Sequence, residues 1–226
     1  MQGDEIQDIK DCLMSAAIDE RVLRRALRAA SAQLGDMVTR SVGSAADTYV
    51  AGINYDFDRF ARHYALSLGE RLVGVACFSS VPMRYLAPGG ERMFSSGRLN
   101  FAEAPDRPPG VAVIFLAVAS DELEIVNLIS MVSQKTEAAK IIIACGLAAK
   151  DVGEATEQWL DLYDLPKPEI VALSTHSGDL RSVRDRVYEA LDDRPMKAAP
   201  LMPIWIMERA FGPMPEHMRE QYALRD

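Results

Sequence analysis

The densest group of polar side chains in the sequence lies in residues 174–179, which read STHSGD. His176 is one of three histidines, and an imidazole can act as a general base or hydrogen-bond a ligand near neutral pH. The hydroxyls of Ser174 and Thr175 can bind polar groups of the same ligand. The alternative, which base rates favour, is a surface loop in which Ser177 or Asp179 caps the next helix.

A second polar group follows a long apolar run and opens a helical pattern: Ser120, Asp121, Glu122 and Glu124. The spacing of Asp121 and Glu124 predicts a capping box, and acids in a first turn suit the helix dipole. The functional alternative is that Asp121 or Glu122 binds a ribose diol or a metal ion, with Ser120 beside it. The same acids make this helix start a poor phosphate site, because they occupy the positive end that an anion would use.

Ser79 and Ser80 follow the apolar run LVGVACF. Two hydroxyls at a strand end can hold a phosphate or a sugar hydroxyl, although a cap for the following turn is the more common role. Cys145 precedes Gly146, an arrangement seen in some nucleophile elbows, but the sequence shows no residue that would activate the thiol. We therefore expect Cys77 and Cys145 to be buried core residues.

Motifs with strong chemical meaning are missing from the sequence, namely the P-loop, GxGxxG, HExxH, GxSxG and CxxC. The candidate catalytic residues are therefore Asp121, Glu122 and His176. The candidate ligand-binding residues are the serines and threonine of the three groups: Ser79, Ser80, Ser120, Ser174 and Thr175. No metal site is predicted, and the sequence assigns no cofactor.

Four short apolar runs predict buried strands, at residues 72–78, 111–118, 140–145 and 169–173. Helical patterns separate the later runs, at residues 121–135, 151–163 and 179–191. Alternation of this kind predicts an α/β fold with a mostly parallel, doubly wound sheet and helices on both faces. Ligands of such sheets bind beyond the carboxyl ends of the strands, so the polar groups above are expected to line one crevice.

The remaining sequence divides around this core. Residues 1–54 are expected to form an N-terminal helical segment with a cap at Asp19 and a loop over residues 40–52. Residues 55–193 form the α/β core, which begins with a helix at Asp56 or Asp58. Within it, residues 82–106 predict an antiparallel flap around a Pro-Gly-Gly turn. Residues 194–226 are rich in Pro and Met and predict a helical extension, with short helices near 204–211 and 216–223.

Composition limits the partners of this 226-residue chain. With 25 Lys and Arg against 33 Asp and Glu, the net charge of −8 argues against nucleic acid or an anionic membrane as the main partner. Three widely spaced cysteines are typical of a reduced, cytoplasmic protein. The polar start MQGDEIQDIKD does not resemble a signal peptide, and the longest apolar run, residues 110–119, is too short to span a bilayer.

The order of these segments resembles that of the type I phosphoribosyltransferases. A helix leads into ERLVGVACFSSVP, a flap follows as RYLAPGGERMFSSGRLNFAEAPD, and then come the strands and helix of GVAVIFLAVASDELEIVNLISMV, KIIIACGL and EIVALST. The family's signature strand ends in two acids, matched here by Asp121 and Glu122. The Ser/Thr/Gly-rich loop that wraps the ribose 5-phosphate in that family is replaced by AVASDELEIVN. Sugar isomerase domains resemble the stretch about as well, with Ser79, Ser80 and Ser120 at their sugar-phosphate positions but without the SxSGxT run.

Two functions follow as hypotheses. In the first, the protein is an enzyme that binds and acts on a phosphorylated sugar or nucleotide, as a divergent transferase. In the second, it is a non-catalytic α/β protein that forms homo-oligomers or binds partners through its C-terminal segment, since Met-rich apolar surfaces adapt to partners.

Overall fold

The computed structural model of the protein describes residues 2–15, 19–43, 45–87, 90–191, 203–213 and 215. Its helices are α1 (Gln2–Met14), α2 (Glu20–Val42), α3 (Asn54–Asp56), α4 (Arg62–Leu68), α5 (Glu122–Thr136), α6 (Val152–Leu162), α7 (Arg181–Leu191) and α8 (Ile204–Phe211). Its strands are β1 (Thr48–Ile53), β2 (Leu72–Ala87), β3 (Gly90–Ala102), β4 (Val111–Ala119), β5 (Ile141–Ala149) and β6 (Glu169–His176).

The strands form one six-stranded sheet in the order β3-β2-β1-β4-β5-β6. All neighbours pair in parallel except β2 and β3, which form an antiparallel hairpin. Because parallel crossovers are right-handed, α5 and α6 lie together on one face, while α2 packs with α4 on the other. This architecture confirms the predicted α/β class with helices on both faces.

The central strand β1 falls where the sequence predicts a loop, and that prediction is wrong. All six of its residues are buried, and it pairs with β2 on one side and β4 on the other. Its sequence TYVAGI lacks a continuous run of large apolar side chains. Helical residues pack directly on it instead: a Cβ added at Gly52 would lie 3.2 Å from the Phe57 ring. Position 52 therefore requires a very small residue.

The helix that leaves β1 is continuous but changes its winding. It begins as α3, passes through a π-helical turn over Phe57–Ala61, and continues as α4 to a short 3₁₀ turn at Gly69–Arg71. Such π-helical turns are rare and frequently lie at functional sites. The predicted helix start at Asp56 or Asp58 lies within a few residues of the observed one.

The predicted flap is an extension of the sheet. β2 does not end at Phe78, as the sequence predicts, but continues to Ala87 and pairs with β3 from Ala76 to Ala87. Ser79 and Ser80 therefore lie inside a strand. Since successive residues of a strand point to opposite faces, their hydroxyls cannot act side by side.

Helices lie near both ends of the described part of the chain. Asp19 caps α2 as predicted, accepting a hydrogen bond from the Val22 N–H at 3.0 Å. Helix α8 lies back on the domain: Ile206 is buried and Trp205 stacks on Phe57, with ring centroids 5.6 Å apart. The helix predicted near 216–223 falls outside the described residues. Within the described ranges, no helix combines the length and apolar composition needed to cross a membrane.

We predict that Gly74→Ala destabilises the protein by about 1–3 kcal/mol through overpacking. The new Cβ would lie 2.7 Å from Cε2 of Tyr49 in the neighbouring strand. That ring cannot easily move, because its hydroxyl bonds to the carbonyls of Val75 and Glu103 at 3.0 and 2.9 Å. Urea unfolding measures the effect, with Gly110→Ala as control, where the nearest atom is 3.6 Å away. Equal stability of the two variants would contradict the packing argument.

Candidate functional site

The order of the strands places the switch point of the sheet between β1 and β4. The chain adds β2 and β3 on one side of β1, and β4, β5 and β6 on the other. In open α/β sheets, ligands bind beyond the carboxyl ends of the strands at such a point. Asn54 and Asp56 follow β1 there, and Ser120 and Asp121 follow β4.

Asp56 is a fully buried carboxyl group at this point. Its Oδ2 accepts hydrogen bonds from the Ala117 N–H at 3.0 Å and from the Tyr188 hydroxyl at 3.1 Å. β1 stops at Ile53 while β4 continues to Ala119, so Asp56 supplies an acceptor where β1 no longer provides a backbone carbonyl. Its Oδ1 is buried with no hydrogen-bond partner among the described residues.

Burial raises the pKa of Asp56 to about 7. The hydrogen bonds from Ala117 and Tyr188 act in the opposite direction but are outweighed, because removal from water strongly disfavours the charged form. The nearby charge of Glu124 raises the pKa further, and Arg184 lowers it. Asp56 therefore changes its charge close to neutral pH.

A buried ion pair joins α5 to α7. Arg184 Nη1 lies 3.0 Å from Glu124 Oε2, and both side chains are almost completely shielded from water. The other oxygen of Glu124 accepts a 2.5 Å hydrogen bond from the Ser80 hydroxyl of β2. Desolvation raises the pKa of Glu124, while Arg184 and Ser80 oppose that shift. The guanidinium of Arg184 also lies over the Tyr188 ring, 5.5 Å from its centroid.

Only one of the two interactions of the predicted capping box forms at the start of α5. The Asp121 carboxylate does cap the helix, accepting from the N–H groups of Leu123 and Glu124 at 3.1 and 3.2 Å. Glu124 turns instead to Ser80 and Arg184. The start of α5 is thus filled by a carboxylate of the chain itself, as expected for a poor phosphate site.

Ser79 belongs to a different cluster from Ser80. Its hydroxyl lies 3.0 Å from Asn100 Oδ1, and Asn100 Nδ2 donates to Asn54 Oδ1 at 2.9 Å. The Cys77 thiol is 2.9 Å from the same Asn54 oxygen. Ser79 and Ser80 therefore bind groups of the protein, on opposite faces of β2.

The other predicted residues meet at the same edge of the sheet. The register sets Ala119, Ala148 and Thr175 side by side, so β4, β5 and β6 end level with one another. Lys150 follows β5, and its N–H donates to the His176 carbonyl at 2.9 Å. Ser174 and His176 are half-buried and Thr175 is exposed. In their loop, Asp179 accepts from the Arg181 N–H at 2.9 Å, which is the predicted capping role.

One contact connects this loop to the acids of α5. Arg181 Nη2 lies 3.9 Å from Glu122 Oε2, and both side chains remain partly exposed. Ser120 precedes these acids, and its Oγ is buried with no hydrogen-bond partner among the described residues. Glu122, Ser120 and the loop after β6 therefore lie near each other, whereas Ser79 faces a separate cluster.

Two of the cysteines are buried in the core. Cys77 and Cys145 are buried, in agreement with the expectation from sequence, and burial raises the pKa of Cys145 to about 12. A thiol with that pKa stays protonated at neutral pH and is a poor nucleophile. In the part of the chain that the structure describes, no three His, Cys, Asp or Glu side chains are grouped to hold a metal ion.

Sequence reasoning missed the residues that form the buried cluster: Asp56, Arg184 and Tyr188. The sequence predicts Asp56 only as a possible helix start, and Arg184 and Tyr188 lie within a helical pattern. The available signal was an Arg at the core-facing spacing of α7, beside Val183 and Val187, where a charge requires a buried partner.

Comparison with solved structures shows a likeness of fold. The AQ2163 protein from Aquifex aeolicus aligns with a TM-score of 0.55 at 10% identity, over 81% of this chain and 93% of that one. An adenine phosphoribosyltransferase from Trypanosoma brucei, in complex with AMP, pyrophosphate and ribose-5-phosphate, gives 0.48 at 10% identity, over 77% and 83%. The adenine phosphoribosyltransferase from Thermoanaerobacter pseudethanolicus gives 0.46 at 15% identity, over 76% and 99%.

Adenine phosphoribosyltransferases are thus among the solved structures to which this chain aligns. At these identities the likeness concerns the fold alone. Searches against models of protein families and against curated proteins find no match to the sequence.

We predict that Asp56→Asn changes how stability depends on pH. With a pKa of about 7 in the folded state and an ordinary value near 3.8 when unfolded, Asp56 loses its proton first in the unfolded chain. The free energy of unfolding of the wild type should therefore fall, relative to the variant, as pH rises from about 4 to about 7, and then level off. Urea unfolding across this range measures it. Parallel profiles would contradict a raised pKa.

We predict that Glu124→Gln is far more costly than Glu122→Gln. The first substitution removes the buried counter-ion of Arg184 and leaves it only the exposed Asp185 at 3.5 Å, and breaking a buried pair typically costs about 3–5 kcal/mol. The second removes a partly exposed 3.9 Å pair, worth about 1 kcal/mol or less. Both variants keep the shape of the side chain, so chemical denaturation compares the two charges directly. Similar losses would show that the Arg184 pair does not organise the cluster.

Proposed function

We propose that this protein binds a phosphorylated sugar or nucleotide at the carboxyl edge of the sheet, above β4, β5 and β6. The observation that carries the proposal is the Glu122–Arg181 contact, which connects the start of α5 to the loop after β6. It is supported by the level strand ends, which set Lys150 beside His176.

In this proposal the phosphate is bound by Lys150, His176 and Arg181. Lys150 and Arg181 are exposed, so they can reach a ligand without breaking a buried contact. A guanidinium can bind phosphate through two parallel hydrogen bonds, and a lysine acts as a point charge. Ser174 and Thr175, from the same strand end, would add hydroxyl contacts.

The sugar would lie toward α5. Glu122 can accept hydrogen bonds from a diol, and Ser120 Oγ lacks a partner among the described residues, so a ligand hydroxyl would satisfy it. Asp121 would have an indirect role, because it caps the helix that carries Glu122. Ser79 and Ser80, whose hydroxyls already bind Asn100 and Glu124, would have no direct role.

The geometry does not support phosphoribosyl transfer by way of the start of α5. The Asp121 carboxylate occupies the N–H groups there, and Glu124 adds a second buried acid. Like charges at this point repel a phosphate. We therefore propose binding rather than group transfer as the activity.

A non-catalytic role is the second candidate, because side chains of the protein itself fill the switch point between β1 and β4. Self-association through residues 194–226 and a cytoplasmic location belong to this proposal as well. In the described part of that segment, Ile206 packs inward and Arg209 pairs with Glu103 at 2.7 Å, while Phe211 stays exposed.

We predict that ribose 5-phosphate, AMP or a hexose phosphate raises the melting temperature of the wild type. A ligand at about 100 times its dissociation constant stabilises by about 2.7 kcal/mol. Arg181→Gln and Lys150→Gln should each weaken this effect, because each removes a cation from the phosphate. Lys135→Gln, at the far end of α5, serves as the charge-matched control.

Absence of a shift with every phosphorylated compound would favour the non-catalytic candidate. A loss of binding as large in Lys135→Gln as in Arg181→Gln would show that only general charge matters.

A further inference from the structure

Helix α2 carries a row of arginines on its exposed side. Arg21, Arg25 and Arg28 are all exposed and follow one another at spacings of four and three residues. Such spacings place side chains on one face of a helix. None of the three has an ion-pair partner among the described residues, whereas Arg24 beside them pairs with Glu20. A cationic strip therefore stands out on a chain of net charge −8.

Helix α6 carries the complementary row. Glu154, Glu157 and Asp161 are exposed and follow one another at spacings of three and four residues. Their side of the helix is opposite to Val152, Thr156 and Leu160, which are buried. Asp161 also pairs with Lys167 at 2.9 Å. Both side chains of that pair are at least half exposed, so the pair is weak and Asp161 can pair with another cation instead.

The two rows match when the helices run antiparallel. Arg21 then faces Asp161, Arg25 faces Glu157 and Arg28 faces Glu154, because the spacings four-three and three-four are mirror images. The first and last residues of each row are seven positions apart, which is about 10 Å at 1.5 Å per residue. Three ion pairs therefore align in the antiparallel register, whereas the parallel orientation aligns the two outer pairs and leaves Arg25 one residue out of step with Glu157.

Exposed apolar side chains lie at the same end of both rows. Val22 of α2 is 49% exposed, and Leu162 and Tyr163 after Asp161 are 69% and 58% exposed. In the antiparallel arrangement these three side chains meet beside the Arg21–Asp161 pair. Their burial would add the hydrophobic contribution that exposed ion pairs lack.

We propose that copies of this chain associate head to tail, with α2 of one copy on α6 of the next. The two helices lie on opposite faces of the sheet, so they cannot meet within one chain. The interface is heterologous, and repeated contacts of this kind produce a ring or an open filament rather than a closed dimer. This association is independent of the ligand site and of residues 194–226.

Sedimentation velocity at several protein concentrations tests the proposal. We expect a concentration-dependent rise in mass that weakens as salt is added, because exposed charges are screened within about 10 Å at 0.1 M salt. Arg25→Glu and Glu157→Arg should each raise the concentration needed for association by roughly tenfold or more. Lys135→Glu and Glu189→Arg, on exposed positions of α5 and α7, are the matched controls and should associate like the wild type.

Variants that restore opposite charges across the interface give the most decisive test. An equimolar mixture of Arg25→Glu and Glu157→Arg should associate again, and so should the double variant, because each again sets opposite charges against one another across the interface. Circular dichroism confirms that the variants are folded. The proposal is overturned if the wild type stays monomeric at every concentration, if the controls lose association equally, or if the double variant fails to recover.

Discussion

Glu124 on α5 and Arg184 on α7 bring opposite charges to within 3.0 Å in a place almost closed to water. Removing Arg184 leaves the Glu124 charge buried without its ion-pair partner, and removing Glu124 leaves Arg184 with the exposed Asp185 at 3.5 Å, so the pair favours keeping the two helices together at the carboxyl edge of the sheet. Ser80 connects the same carboxylate to β2, and Tyr188, one turn after Arg184, reaches Asp56 at the end of β1. One buried cluster therefore fixes the elements that surround the switch point.

The groups at the switch point differ from those that the family resemblance leads one to expect. The order of the segments resembles that of the type I phosphoribosyltransferases, but the start of α5 carries its own cap at Asp121. Fold alone does not determine function, which depends on the groups present at the site. The anion site that we propose lies farther along the edge, at the ends of β5 and β6, where Lys150, His176 and Arg181 are at least partly exposed.

Sequence patterns over a few residues correctly predicted the strands and helix caps that depend on neighbouring residues. The β-branched runs of β4 and β5 and the caps at Asp19 and Asp121 all appear where expected. The central strand β1 was missed because Ala51 and Gly52 interrupt its apolar run, and Gly52 is required by the Phe57 ring packed on it rather than by the strand itself. The buried cluster was missed for another reason: Glu124 and Arg184 are 60 residues apart, and Asp56 and Tyr188 are 132 apart. Pairings over such separations become visible only when the topology is known.

Backbone amide NMR of the ¹⁵N-labelled protein, titrated with ribose 5-phosphate, tests the location of the ligand most directly. The account predicts saturable shifts at Lys150, His176 and Arg181, at the ends of β5 and β6, with the amides of Leu123 and Glu124 unchanged because Asp121 already binds them. Shifts centred on Leu123 and Glu124 instead would mean that the start of α5 binds phosphate after all, and the proposed site would be wrong.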